Sequence, residues 1–563
     1  MRLLLGMSAA LLVTTGLTPA AAAESPPVRE TAWVETGTDH DHDGKIDRVA
    51  ADIARPATGG RVPVILDVSP YYACCGRGNE AQKKTYDPDG TPRQFPLFYD
   101  NYFVPRGYAV VLADVGGTNR SSGCFDDVGS GNAVVDWLNG RAKAFDAPEG
   151  GRPVRAEWAT GDVGAIGKSQ DGATAIGMAV SGIRGLKTIV PIEGVADNYA
   201  QLVANGAPLA TPEHTGSAFT YNERAAGLCQ PFEADLKERM GTNGDYNAYW
   251  RSVNYVPKPV RASVLIAQGF GDSVVAPNQF AAYWAALGRT GTPRKAWLSQ
   301  AGHVDPFDLQ RSEWVATLGR WFDRWLKGVR NGVEDEPAVH LETAPDRWTD
   351  VRSWPPATAP VTLRGSGTAT VVDDPAAGRE DWAAGVSAAR FTGAPLPAAV
   401  RIAGSPSVTV TVSSDKPAAR LGVALVDYGP ADVRNTANYG SGTKNLTTTS
   451  CWGESRPGDS ACFLDTAADV VGVDHRIVAA GWADLGHHAS LRHGEPLVPG
   501  RAYSMTFTLS ALDHVVPAGH RLGLLLGGTD GQLFDPALPV LGDTLTFDLA
   551  RTSVTLGLTK PEH

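Results

Sequence analysis

The sequence predicts two domains of different class, an α/β domain built on a parallel sheet followed by an all-β domain of jelly-roll type. Three observations carry this. Up to about residue 350, short Val- and Ile-rich runs alternate with segments whose apolar residues recur at helical spacing, the pattern of a parallel sheet covered on both faces. Beyond that point period-two alternation takes over and no helical stripe of comparable strength remains. Between the two lies the Pro-rich stretch WPPATAP at 354–360, which reads as a linker, and 563 residues suffice for both parts.

The chain opens with MRLLLGMSAALLVTTGLTPAAAAESPP: one arginine, an apolar stretch, then small residues. This is the pattern of a secretory signal peptide over 1–23, cut near Ala23. Its apolar core is too short and too broken by Gly and Thr to span a bilayer, so an exported protein without a membrane anchor is expected. The charge balance is ordinary, with 20% charged residues and a net charge of −11, and no Lys/Arg block appears, which argues against a nucleic-acid partner.

The α/β domain is expected over 24–350. Residues 62–68 (VPVILDV) and 108–114 (YAVVLAD) read as buried strands. Val134, Val135 and Leu138 mark a helix near 131–139. Residues 163–167 form the next strand, and Ala173, Ile176, Gly177 and Val180 lie on one helical face behind it. Strands follow at 186–192 and 263–268, a helix through Phe280, Trp284 and Leu287, and a last strand at 295–299. A long helix carries Trp314, Leu318, Trp321, Phe322 and Trp325 on one face. The polar, mixed segment from about 200 to 260 is too long for a plain connection and is expected to form a helical cap over the carboxyl edge of the sheet. From 351 to 563, runs at 407–413, 419–427, 502–510, 520–526 and 544–558 alternate apolar and polar residues, as in a two-sheet sandwich.

The six cysteines, even in number in an exported chain, favour disulfides. Cys451 and Cys462 close a short loop and form the expected pair; Cys74, Cys75, Cys124 and Cys229 allow several pairings, or buried free thiols. No C-x-x-C spacing suggests a metal.

The stretch GAIGKSQDGATAIG at 164–177 sets Ser169 at a strand-to-helix junction among small residues. A nucleophile elbow is built this way: the sharp turn lifts the hydroxyl clear of the sheet, and the N–H of the next residue, Gln170, faces the reacting carbonyl oxygen. The usual G-x-S-x-G is altered, since the second glycine, Gly172, comes one place late, and a helix N-cap serine would look similar. The rest of the constellation decides. Asp272 directly follows strand 263–268, and His303 directly follows strand 295–299, so nucleophile, acid and histidine come in the chain order of the α/β-hydrolase fold, each at the carboxyl edge where such sheets hold ligands. His303 can take the Ser169 proton and Asp272 can orient the imidazole. Asp305 is the alternative acid. His487, His488 and His493 form a local group expected to be solvated rather than metal-bound. The triad requires no cofactor. The functions weighed are a serine peptidase, an esterase or amidase on small acyl esters, and a non-catalytic carbohydrate or cell-wall binder, the last disfavoured by the intact triad.

The stretch DWLNGRAKAFDAPEGGRPVRAEWATGDVGAIGKSQDG, with GFGDSVV, KAWLSQAGHVDP and WFDRWLKGVRNGV, closely resembles the exported bacterial Xaa-Pro dipeptidyl-peptidases, serine peptidases related to cocaine esterase. The resemblance covers nearly the whole mature chain and implies an enzyme that releases Xaa-Pro dipeptides from peptide substrates. The family has Tyr after the serine where this chain has Gln170. It also implies a tyrosine hydroxyl as second oxyanion donor, matched best by Tyr71 in SPYY, with Tyr72 as alternative. The Gly-rich turn after Asp114 lacks the family's arginine and is assigned a structural role. A dipeptidyl-peptidase needs a carboxylate to read the free α-ammonium; Glu193, next after strand 186–192, is the candidate and Asp197 the alternative.

One further motif stands apart. Asp39, Asp41, Asp43, Gly44 and Asp47 match the first part of a calcium loop, although Ala50 stands where the closing bidentate Glu belongs. A structural calcium completed by other residues is one expectation, a solvated acidic turn the other; zinc through His40 and His42 lacks further ligands nearby.

Overall fold

The computed structural model describes residues 26–57, 59–73, 83–209, 221–531 and 541–561. The predicted leader, Cys74 and Cys75 lie outside them.

The first domain is organised by one mixed sheet. Its main strands, in chain order, are β1 (Val28–Glu35), β2 (Arg48–Arg55), β3 (Val62–Ser69), β4 (Ala109–Asp114), β5 (Ala159–Lys168), β6 (Leu186–Ile192), β7 (Ser263–Gly269), β8 (Arg294–Ser299), β9 (Val339–Ala344) and β10 (Arg347–Val351). They lie in the order 1-2-4-3-5-6-7-8-9-10. From β4 to β9 every neighbouring pair is parallel, whereas β1, β2 and β10 run antiparallel at the two ends. The parallel strands are apolar on both faces because both faces are covered. Val64, Leu66, Val111 and Ile189 pack against α1 (Asp127–Leu138), α2 (Gln170–Ser181) and the helix Asn278–Thr290. Ile65, Val110, Leu112 and Val190 pack on the other face against Trp314, Leu318 and Phe322 of the helix Arg311–Leu326.

The turn after β4 has the structural part expected of it. Asp114 and Asp52 are buried around the ammonium of Lys84, and the guanidinium of Arg120 closes on Asp52. Between β6 and β7 the described residues form short helices at Asn198–Leu202, Glu223–Leu228, Gln230–Met240 and Ala248–Ser252. Tyr199, Val203, Met240 and Trp250 give this segment a small core of its own.

The second domain packs an eight-stranded sheet against a four-stranded one, with Val408, Val410 and Val412 of the first sharing a core with Leu421, Val423 and Leu425 of the second. Its strands Thr443–Cys451 and Cys462–Ala468 form a hairpin that reaches back to the first domain, where Thr466 Oγ1 donates to Asp308 O at 2.8 Å. The Cys451–Cys462 disulfide closes this hairpin, and Cys124 pairs with Cys229. The linker is anchored rather than loose: Trp354 is buried, accepts from Trp284 Nε1 at its carbonyl and donates from its indole to Asp513. Among the described residues no helix is long and apolar enough to cross a membrane.

The group at His487, His488 and His493 is not solvated as a whole. His487 is buried between Asp484 at 3.2 Å and Asp245 at 3.0 Å, tying the segment between β6 and β7 to the sandwich. Its partners lie far away in sequence or behind a turn, so the local polar composition misled.

Candidate active site

Ser169 is the first residue past β5, at φ 61° and ψ −121°, a conformation that L-residues rarely hold. Its N–H donates to Ile192 O at 2.9 Å, and its carbonyl accepts from Ala173 N at 2.9 Å, so the neighbouring strand and the helix fix the turn from both sides. The displaced glycine explains itself here. A Cβ on Gly167 would overlap Asp171, and one on Gly172 would lie 2.9 Å from Ile192 O and 3.0 Å from Gly194 Cα. Gly172 therefore serves the approach of α2 to the end of β6, one helical position further on than the usual pattern.

The acid and the histidine stand on the next loops. Asp272 is buried; its Oδ1 accepts from Val274 N at 2.8 Å and Val275 N at 2.9 Å, and its Oδ2 lies 2.8 Å from His303 Nδ1. Burial lowers the His303 pKa below its ordinary value, and Asp272 opposes that shift. A neutral imidazole whose Nδ1 faces Asp272 leaves Nε2 free to act as base.

Tyr71 follows β3. Its hydroxyl lies close enough to the Ser169 side chain and the Gln170 N–H for both to pull its pKa down, but burial outweighs them and pushes it up to about 12, so it stays a proton donor. The Tyr71 hydroxyl, the Gln170 N–H and the Ser169 side chain thus lie near one another. Tyr72 is buried instead, with Lys84 Nζ 4.5 Å from its ring centre. The Gln170 side chain turns away to Asp127 of α1, donating at 2.8 Å, and Thr174 Oγ1 donates to the same carboxylate oxygen at 2.9 Å. Asp127 had no signal in the sequence; its burial raises its pKa.

Neither expected ammonium reader is placed for that task. Glu193 is 1% exposed, and its Oε2 lies 3.1 Å from His303 Nδ1, on the side of the ring away from its free nitrogen. Asp197 caps the helix Asn198–Leu202, accepting from Tyr199 N at 3.0 Å and Ala200 N at 3.3 Å, while Asn254 donates to its other oxygen. Asp305 caps a short turn by accepting from Phe307 N and is not the triad acid.

The sandwich braces the histidine loop, a feature with no local sequence signal. Gly302 N donates to Ser441 O at 3.0 Å, and Gln300 N donates to Glu342 Oε2 at 2.7 Å. Glu342 is in turn held by the buried guanidinium of Arg434, which also donates to Gly442 O.

At the acidic turn the carboxylates of Asp39, Asp41 and Asp43 converge. The cation among them is the guanidinium of Arg224, which pairs with Asp41 and Asp43. Asp47, expected as the fourth ligand, faces elsewhere and accepts from His40 N at 2.8 Å. A calcium ion would have to displace Arg224 and recruit other oxygens, so this donor set does not fit the expected loop as it stands.

Comparison with known proteins agrees with this geometry. Residues 43–305 match the model of the X-Pro dipeptidyl-peptidase (S15) family, and 331–563 match that of the X-Pro dipeptidyl-peptidase C-terminal non-catalytic domain. A Streptomyces avermitilis protein provisionally named a Xaa-Pro dipeptidyl-peptidase is 47% identical over 98% of this chain and 88% of its own length. The Xaa-Pro dipeptidyl-peptidase of Lacticaseibacillus casei is 25% identical over 94% of this chain and 76% of its own. Among solved structures, an α-amino acid ester hydrolase shares the fold with a TM-score of 0.62 at 16% identity, covering 97% of this chain and 99% of that one. A CocE/NonD family hydrolase from Staphylococcus aureus does so at 0.65 and 13%, covering 95% and 94%.

Proposed function

The chain belongs to the X-Pro dipeptidyl-peptidase (S15) family of serine peptidases, and from that premise we propose that Ser169, His303 and Asp272 release Xaa-Pro dipeptides from peptide N-termini through an acyl-enzyme on Ser169. The observations that support the reading are the strained turn of Ser169 at the end of β5, the Tyr71 hydroxyl close to it, and the 2.8 Å Asp272–His303 pair on the loops that follow β7 and β8.

The steps follow from the positions. His303 Nε2 takes the proton of Ser169 as its oxygen attacks the carbonyl after proline. The carbonyl oxygen enters between the Tyr71 hydroxyl and the Gln170 N–H, which turn from each other and from Ser169 to donate to it. Asp272 stabilises the imidazolium, which then gives its proton to the leaving amine; water, deprotonated by the same nitrogen, releases the dipeptide. The protein is read as exported, its leader cut near Ala23. The two disulfides support this, since such bonds persist in oxidising compartments.

Turnover of Ala-Pro-anilide by wild type and Ser169→Ala tests the reading. The variant should lose about 10⁴-fold in kcat with an unchanged melting temperature, since triad members act as a unit. A variant retaining a tenth of the activity would sink the assignment of Ser169. Faster turnover of a short-chain nitrophenyl ester than of the anilide by wild type would replace the peptidase reading with the esterase one.

A further inference from the structure

His303 has two carboxyl groups at one nitrogen. Asp272 Oδ2 makes the hydrogen bond at 2.8 Å, and Glu193 Oε2 lies 3.1 Å from the same Nδ1 without the alignment of a bond. A triad needs one acid, so the second is unexplained by the mechanism. It is also built deliberately. Glu193 holds the left-handed backbone at φ 48°, its N–H donates to Ala267 O at 2.8 Å, and its carboxyl faces the N–H of Val304, the residue after the histidine. The side chain is thus fixed from the strand behind it and from the histidine loop in front.

We propose that Glu193 is a second acid partner of His303, a positioning residue that bounds the imidazole at Nδ1 and takes over the Nδ1 proton when Asp272 cannot accept it. This rests on the triad reading above. Asp272 and Glu193 cannot both be charged cheaply at such separation. The charged and titratable groups facing Glu193 are Asp272 from the loop after β7, Lys168 from the end of β5, and His303 and Asp305 from the loop after β8. Burial and the Asp272 charge hold the Glu193 carboxyl protonated, against the smaller pull of Lys168. In the resting protein Nδ1–H therefore donates to Asp272 and Glu193 keeps its own proton. If the Asp272 charge is removed, the repulsion goes while burial remains, so the Glu193 pKa falls part of the way; as pH rises Glu193 then releases its proton to solvent, and its Oε2 accepts Nδ1–H.

The test is a double-mutant cycle of Asp272→Asn and Glu193→Gln, with kcat and KM for Ala-Pro-anilide measured across pH and the rate of Ser169 labelling by a fluorophosphonate read in parallel. Glu193→Gln alone should lower kcat by about threefold at constant KM with the same pH profile, because a neutral amide still bounds the ring but fits it less well than the carboxyl. Asp272→Asn should lose about 10²-fold in kcat at constant KM and gain an additional rising limb with pH as Glu193 ionises. The double variant should lose about 10⁴-fold, the loss usual when an imidazole has no acid partner, and should lack that limb. Equal kcat and equal profiles for Asp272→Asn and the double variant would overturn the proposal. If Asp272→Asn fails to fold, Glu193→Leu in the intact triad decides: kcat should fall at least tenfold with KM unchanged, and full kcat would overturn it. Labelling of wild type at Ser169 keeps these outcomes separate from a failure of the triad reading itself.

Discussion

Two clusters of carboxylates in this protein use the same residue types to opposite ends. At the sheet's carboxyl edge, Asp272 and Glu193 converge on His303; at the turn between β1 and β2, Asp39, Asp41 and Asp43 lie together and the last two pair with Arg224. The first group is anchored to the ends of three parallel strands and closed off from water, so each charge is set by its neighbours. The second sits on an irregular turn with Asp43 exposed, where water shares the work. Burial and anchoring, rather than the number of acids, separate a site that tunes a histidine from one that is a surface ion pair.

The largest effect that sharpens this contrast belongs to the anchored edge. If Tyr71 is one of two oxyanion donors, Tyr71→Phe should lower kcat by about 10²–10³-fold with little change in KM. The melting temperature should not move, because the ring remains. Steady-state kinetics with Ala-Pro-anilide check this, and a loss confined to KM would show that Tyr71 binds substrate rather than the developing oxyanion.

A second, smaller effect reads burial through pH. The base must be neutral to work, so activity falls as pH drops through the pKa of His303. Burial sets that pKa below the ordinary value near 6.5, Asp272 only partly restoring it. The acid limb of kcat/KM, which reports the free protein, should therefore have its midpoint below pH 6.5. A midpoint above that value would mean that Asp272 outweighs burial. No alkaline loss from Tyr71 is expected below pH 10, since its pKa lies near 12.

What the sequence made legible follows the same division. The parallel strands announced themselves as apolar runs because both faces are covered, and the triad followed because each member comes directly after such a run. The edges were silent: β1 and β2 at one end, β9 and β10 at the other, are half polar, and β10 (RWTDV) has no fully buried residue. The elbow was readable despite its late glycine. The direction of Glu193 was not. Its place after β6 was correctly located at the carboxyl edge, but the left-handed backbone that turns it behind the imidazole depends on contacts with Ala267 and Val304, far along the chain. The brace of Arg434 on Glu342 and Gln300, and the pairing of His487 with Asp245, likewise join distant segments that no local pattern links.

The smallest effect tests the other side of the comparison, at Asp47, a buried acid of the turn that has no part in the Arg224 pairs. Asp47 has a side chain 4% exposed, and its pKa is raised to about 6, first by burial and then by repulsion from Asp41, with the His40 N–H pulling it back. The sign runs against the usual stabilising carboxylate. A folded pKa above the unfolded value means that the folded state binds the proton more tightly, so stability is highest below about pH 4, falls as pH rises towards 6, and carries the full cost of the buried charge at pH 7.5. Asp47→Asn removes that charge while keeping an oxygen for the His40 N–H, at some loss of hydrogen-bond strength. In chelator at pH 7.5 the variant should be more stable than wild type by about 1 kcal/mol, less than the roughly 3 kcal/mol that a two-unit shift represents. At pH 4.5 the difference should shrink, because wild type is then mostly protonated there. Thermal melts at both pH values, repeated with excess calcium, separate the two readings of the motif. If calcium binds through Asp47, the ion will raise the wild-type melting temperature and not that of the variant. If Arg224 is the resident cation, neither protein will respond, and the gain from Asp47→Asn will be the same with and without calcium. A variant less stable than wild type in chelator at pH 7.5 would show that the His40 hydrogen bond outweighs the cost of burying the charge.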